Sequence, residues 1–563
     1  MTSPRLFLAV AVWCAPAAAF AGPRDDLLRL VPDDYTFCLV VQNIREHAKA
    51  DGQSSFLKGL AESPLVKGYQ NTPEAEKLRT AFESILKDLG ITPEQLRDDL
   101  LGDAVVFAYR KGPPGNEAKE DGLILVHARD GKLLARVVER VNDLQTKGGE
   151  LKAVEPVAGK DGEYFRRVKS DKQQPAEFYA LRGNRLVFSG SEALLQSALA
   201  KLATPGDGEP FVARRMQQLG VSDCPVSFLV NPRAFDADLA DSAKTGKDAE
   251  RAFLKEFAGY WKAVDGVALF LNFAPSLELG LAVHARKADL PGPARRFFAE
   301  AGKRSPLWDR VPEDALFALV GRFHAESMTA MLGSFLTEQD RRKVLDGVAR
   351  MSKTFFKPDD LGPVTRGFGP DVGFWVTKPD AASHTWCPQA LLAVKLADGP
   401  DGRKAELAAL KGLDFLARLA SLSEKDLSVF EEQQGAVPVT GLTSAGLFPP
   451  GFRPCFASKG GYLLVAGSPE TIARFEPPKD PPTDAPEVTV LRISVTAWRD
   501  YMNAHRHGLV EYLAKVHQTD RAALNPQIDA LLPLLDGLDQ IEIVQRAGPD
   551  RVSLVLRLKD HRK

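Results

Sequence analysis

The chain holds few of the residues from which reactive centres are built. Its 563 residues include five cysteines and nine histidines, and no two cysteines stand in a C-x-x-C pair. Cysteine-ligated structural zinc sites and dithiol redox centres commonly carry such a pair, and none is written here. An excess of one charge is missing too: 73 Lys and Arg face 74 Asp and Glu, a formal charge of -1. A nucleic-acid binder presents a basic face, so no nucleic acid is expected as a partner. Long apolar runs are lacking beyond the N-terminal stretch, and a membrane-spanning helix needs about 20 apolar residues in a row. No transmembrane segment is therefore expected after the leader.

What is present begins at the N-terminus. "MTSPRLFLAVAVWCAPAAAFAG" carries one basic residue, Arg5, then an apolar stretch, then Ala19-Phe20-Ala21. Signal peptidase accepts this small-x-small pattern, so residues 1–21 are expected to be a signal peptide removed before Gly22. A retained anchor is the alternative, but the run is short and ends in the cleavage pattern. Bulky Trp13 directly before Cys14 argues against lipidation. Removing the leader takes one basic and no acidic residue, leaving 72 minus 74, or -2. The expected location is the periplasm or the cell exterior. Cys38, Cys224, Cys387 and Cys455 remain, too few in so long a chain for a disulfide-stapled mini-domain.

The most informative feature is internal. "LVPDDYTFCLVV" from Leu30 is echoed by "RVPEDALFALVG" from Arg310, and "GDAVVFAYRK" from Gly102 by "GPDVGFWVTK" from Gly369. "GLILVHARDG" pairs with "ALLAVKLADG", "RLVFSGSEALL" with "YLLVAGSPETI", and "VDGVALFLNF" with "LDQIEIVQRA". Five blocks in one order predict two homologous modules, residues 22–290 and 311–563, joined by a linker at 291–310. The spacing between blocks drifts, which places insertions in the connections, where little surface is buried. Pro-rich "EPPKDPPTDAP" from Glu476 stands where the first module has a short helix pattern, "PFVARRMQQLG".

Within each module two periodicities alternate. "YTFCLVV", "AVVFAY", "LILVHA", "RLVFS" and "GVALFLNF" are short β-prone runs bounded by Gly, Pro or Asp, and read as strands. "PEAEKLRTAFESILKDLG" places Leu78, Ala81, Phe82, Ile85 and Leu86 at helical spacing, and "GKLLARVVERVNDL" repeats the pattern. "EFYALRGNRLVFSG" turns at Arg182-Gly183-Asn184, the signature of an antiparallel hairpin. The expected class is α+β: two tandem modules of mainly antiparallel sheet with helices on one face.

Strand, Gly-Ser, helix invites comparison with a nucleophile elbow, but that motif needs a second glycine that "SGSEA" and "AGSPE" lack. Ser191 and Ser468 are expected as helix N-caps, with Glu192, Glu470 and Pro469 in the first turns. His505 and His507 stand two apart, a spacing that points them to different faces of a helix and away from one metal. His127 and His324 have no histidine counterpart in the other module, so both read as strand-end or surface residues. Asp25-Asp26 and the acids of "VPDD" and "VPED" lack calcium-loop spacing, and are expected to shape the turn into the first strand after Pro32 and Pro312.

The paired openings "LVPDDYTFCLVV" and "RVPEDALFALVG" resemble a family of bacterial exported proteins of unknown function. Its members open with Pro-x-Asp and an apolar strand and often carry an internal duplication. The resemblance implies no catalytic residue, and no catalytic, cofactor-binding or metal residue is assigned. The expected function is a non-enzymatic binding or interaction scaffold of the cell envelope, with an unknown protein or small apolar ligand as partner. Its ligand is expected in a groove between modules. The alternatives are a hydrolase whose site is assembled from distant residues, and a carrier of apolar or lipid-like cargo. Ser, His and Asp gathered in one cleft mark the enzyme, a deep apolar cavity the carrier, and a flat aromatic patch the protein partner.

Overall fold

Short apolar runs punctuated by turn residues give strands that pair locally. In the computed structural model they build one sheet of 20 strands. The structure describes residues 22–51, 64–113, 120–204, 208–245, 247–352, 361–379, 385–517, 520–522, 524–526, 529 and 537–560. The expected signal peptide, residues 1–21, lies outside them.

The first ten strands are β1 Phe37–Gln42, β2 Ala104–Arg110, β3 Asp121–His127, β4 Leu151–Gly159, β5 Gly162–Lys169, β6 Glu177–Arg182, β7 Arg185–Ser189, β8 Val226–Val230, β9 Val264–Asn272 and β10 Leu277–Ala285. The second ten are β11 Phe317–Arg322, β12 Phe368–Thr377, β13 Gln389–Leu396, β14 Ser428–Gln434, β15 Val437–Thr443, β16 Cys455–Lys459, β17 Tyr462–Ala466, β18 Glu487–Ser494, β19 Leu538–Ala547 and β20 Arg551–Asp560. The pairings run β4-β5-β6-β7-β3-β2-β1-β8-β9-β10 in the first half. The second half repeats them as β14-β15-β16-β17-β13-β12-β11-β18-β19-β20. Every one of these pairs is antiparallel.

The halves meet where β10 pairs antiparallel with β20, from Leu277 opposite Leu558 to His284 opposite Arg551. The free edges are thus β4 and β14. Lys152, Glu155 and Pro156 on one, and Glu431 and Glu432 on the other, discourage further strand pairing.

Among the helices, α1 is Pro23–Leu28, α2 Pro73–Leu89, α3 Gly131–Lys147, α4 Glu192–Ala203, α5 Phe211–Leu219 and α6 Asp248–Ala263. Further along lie α7 Gly292–Glu300, α8 Ala325–Ser334, α9 Pro400–Ser423, α10 Pro469–Arg474 and α11 Val495–His517. The α+β class and antiparallel sheet are as expected, but the packing corrects the expectation of helices on one face. Helices α1, α4 and α5 press on the side that carries Cys38, Val40, Ala104, Val106 and Leu125, the core face. Helix α3 instead packs with Leu186, and α9 with Leu463 and Val394, on the opposite side. Strands such as "LFALVG" are apolar at nearly every position, yet only one face is packed: Ala318 and Val320 enter the core, whereas Leu319 on the other face stays 43% exposed. Helix α2 forms where the periodicity places it, yet only Leu86 of its apolar stripe is buried, and Leu78 stays 71% exposed. No helix of the described residues is long and apolar enough to cross a membrane.

The core runs unbroken across the seam, since Phe270 and Ala282 pack with Val544 and Val555. Beside it lies an ion network. Glu278, 3% exposed, accepts hydrogen bonds from Arg546 Nη2 at 2.6 Å and Arg557 Nε at 2.8 Å. Glu487 accepts from the same two guanidiniums at 2.7–2.8 Å, and Lys559 donates to Glu542 at 2.8 Å.

Cys38, Cys224, Cys387 and Cys455 are all free and buried. Burial pushes the Cys38 and Cys455 thiols up to about 12 and those of Cys224 and Cys387 to about 11. Thiolate is the nucleophile, so a thiol reagent is expected to find no fast-reacting group in native residues 22–563 and four in denaturant. A rapidly labelled native thiol would contradict this.

Candidate functional site

Strands β11, β12, β13 and β18 turn Leu319, Phe374, Leu392 and Val490 to the side opposite the core face. On this groove face they form the floor of a cavity of about 680 Å³. Its wall is built by α7 and α8, which contribute Ala294, Phe297, Met328 and Met331. Helix α7 arises within residues 291–310, so the stretch expected as a linker is itself part of the cavity. The lining is mostly apolar, and flexible Met side chains adapt to varied apolar shapes.

Charge is confined to one end. Arg322 donates to Glu300 at 2.8 Å and to Asp371 at 2.9 Å, with all three side chains 16% exposed or less. Lys303 donates to Glu300 at 2.9 Å, and Arg296 to the Ser327 hydroxyl at 2.8 Å. Burial alone would raise the Glu300 carboxyl, but hydrogen bonds from Lys303 and Arg322 outweigh it and hold the group below its ordinary range. Every cation at this end already has a partner, so the cluster braces α7 against β11 and leaves no guanidinium or ammonium waiting for an anion.

Ser327, His324 and Glu300 share this groove, which raises the hydrolase alternative. The geometry does not assemble it. His324 Nε2 is 4.0 Å from Glu300 Oε2, beyond hydrogen-bond reach, and the Ser327 hydroxyl accepts from Arg296 rather than facing a base. Among the described residues no three His, Cys, Asp or Glu side chains gather as metal ligands.

The residues singled out in the sequence lie elsewhere. Ser191 caps α4 by accepting from Leu194 N, and Ser468 caps α10 by accepting from Thr471 N, both at 3.4 Å. His505 sits at a kink in α11 against Tyr501, and His507 is exposed beside Glu511. His127 is buried at the end of β3, its Nε2 3.2 Å from Asn184 Nδ2. Asp26 holds Arg185 at 2.5 Å and Asp25 holds Arg24 at 2.7 Å. Turns bridge Pro32 O to Tyr35 N and Pro312 O to Ala315 N, and Asp34 reaches Arg110.

The groove expected between the modules is corrected in place: the cavity lies within the second half and residues 291–310, with no lining residue from the first half. Leu319, Phe374 and Leu392 fall in the echoed blocks, Val490 falls in none of them, and no block reports an open face. The available signal was "PARRFFAEAGKR", a helical pattern with two phenylalanines inside a supposed linker.

His127, His284 and His324 are each held below the ordinary 6.5, chiefly by burial. Each stands 3.8–4.0 Å from a carboxylate: Asp103, Asp265 and Glu300 respectively. Glu487 is lowered from 4.5 to about 2, chiefly by its hydrogen bonds from Arg557. A depressed native value means the unfolded chain binds the proton first, so both groups favour the native state at neutral pH. Stability is expected to be flat near neutrality, to fall as pH drops below 6.5, and to fall again between 4.5 and 2. Urea midpoints measured across pH check this, and a midpoint that rises on acidification from pH 7 would contradict it.

No protein-family model matches the chain, and no curated protein matches it in sequence.

Proposed function

We propose that the chain is an exported, non-catalytic binding protein of the cell envelope that shelters an apolar molecule in the groove beneath α7 and α8. The observation that carries this reading is the cavity of about 680 Å³ with an apolar floor from four adjacent strands. Its size and lining match those of small-molecule sites, and its charged groups are consumed by one another. Export is supported by the N-terminal pattern ending at Ala21. An internal duplication is supported by the five echoed blocks and by the strand order that recurs from β1–β10 to β11–β20. On this reading the second half, with the added α7, carries the site, and the first half supplies its continuation across the sheet.

Native mass spectrometry of the mature chain, isolated gently from its own envelope, tests it. A reproducible extra mass in the lipid range, lost on organic extraction, is the expected result. A bare chain that also fails to enhance the fluorescence of anilinonaphthalene sulfonate would overturn the reading.

A second reading, docking of a protein partner, is favoured by α9. That helix exposes Leu416 by 56%, Leu419 by 49% and Leu422 by 85% on its last turns, an apolar patch of the sort found at interfaces. Leu419→Lys would abolish capture of such a partner and leave probe binding in the groove unchanged.

A further inference from the structure

We infer that the bound molecule is a long single hydrocarbon chain, which leaves the groove and runs across the seam over the groove face of the first half. This rests on the reading of the groove as an apolar binding site. From the groove floor, directly opposed residues continue from strand to strand as Phe374, Leu319, Leu491, Ile543, Leu556 and Leu279. Neighbouring strands lie about 4.8 Å apart, so these five steps span roughly 24 Å. A parallel row, Leu554, Leu281 and Leu269, lies beside it on the same face.

The burial here is inverted. Glu278 and Glu542 on the core face of the seam are 3% and 5% exposed, while Leu279 and Leu554 on the groove face are 54% and 49% exposed. Leu319, Leu556 and Leu279 are 39–54% exposed with Leu491 and Ile543 half-buried between them, and this row, behind buried charges, describes a track that something apolar covers. Continuity with the groove makes a chain-like ligand the occupant. One flank is raised: Phe253 of α6 meets Phe335, just past α8, at 5.2 Å, and Trp261, Phe235 and Phe37 link α6 back to the groove face.

Displacement of anilinonaphthalene sulfonate by lauric, stearic and lignoceric acids tests the inference. Each buried methylene strengthens binding by roughly fourfold, so burial of even about two of the six methylenes that lignoceric acid adds to stearic acid is expected to raise affinity by about tenfold or more. Leu279→Gln and Leu556→Gln, both at solvated positions, are expected to remove most of that last gain and leave lauric acid unaffected. Equal affinities for stearic and lignoceric acids, or seam variants with no chain-length effect, would overturn the track while the groove reading stands. If no acid displaces the probe, the groove reading fails and the track with it. A ligand-free dimer in sedimentation that Leu279→Gln dissolves would assign the face to a second copy and overturn the inference.

Discussion

Gly321→Phe is expected to weaken anilinonaphthalene sulfonate binding by about a hundredfold or more, with the urea midpoint of the chain nearly unchanged. Gly321 lies on β11 opposite Val372, with its missing side chain directed to the groove. A Cβ added there meets only Val490 Cγ1, at 3.9 Å, which is ordinary contact, and its backbone is not in the left-handed region. The phenyl ring therefore enters the cavity without moving the sheet, and removes the volume a ligand needs. The contrasting position is Gly280, on the core face of β10. There a Cβ would run into the buried Phe270 ring, so Gly280→Val is expected to cost about 1–3 kcal/mol through overpacking. The pair separates the two faces: one substitution abolishes binding and spares stability, the other does the reverse. A Gly321→Phe chain that still binds the probe with native affinity would place the ligand elsewhere.

Much of this fold is written locally. The strand runs, the Arg182-Gly183-Asn184 hairpin, the caps at Ser191 and Ser468 and the absence of a helix from residues 476–486 are set by short-range chemistry, and each appears where the pattern places it. The seam is not local. Nothing in "LELGLAVHA" indicates that its partner is "RVSLVLRLKD" some 270 residues away, because strand alternation fixes which side chains share a face but not which edge is met. The same limit hid the groove. Leu319 and Phe374 look like core residues in sequence, since apolar alternation reports a face that prefers an apolar neighbour and does not say whether that neighbour belongs to the chain. Leu78, Phe82 and Ile85 of α2 make the converse point: their helical spacing is real, yet they remain solvated.

Removing the carboxylate of Glu278 is expected to destabilise the chain by about 3 kcal/mol, read as a lower urea midpoint for Glu278→Ala. Glu278 is the first half's contribution to the seam network, and it holds both Arg546 and Arg557. Without it the two guanidiniums share Glu487, with Glu542 3.6 Å from Arg557 and already held by Lys559, and positive charge at the seam is left underpaired. Glu278→Gln keeps an acceptor and should cost less, about 1–2 kcal/mol. The double variant Glu278→Ala with Arg557→Met is expected to recover part of the loss, because apolar replacement of a buried pair costs less than breaking it. An unchanged midpoint in Glu278→Ala would mean that the β10–β20 ladder and the shared core hold the seam without the ions. The network also has a direction. Near the centre of the ladder Gly280 faces Val555; two residues to one side Glu278 faces Arg557, and two residues to the other, on the same core face, Ala282 faces Ser553. Because Arg557 supplies the guanidinium that Glu278 needs, β10 is matched to β20 and not to another β10, where Glu278 would bury its charge without one. The seam thus favours joining unlike halves of one chain over like halves of two, which keeps the apolar track continuous from the groove into the first half.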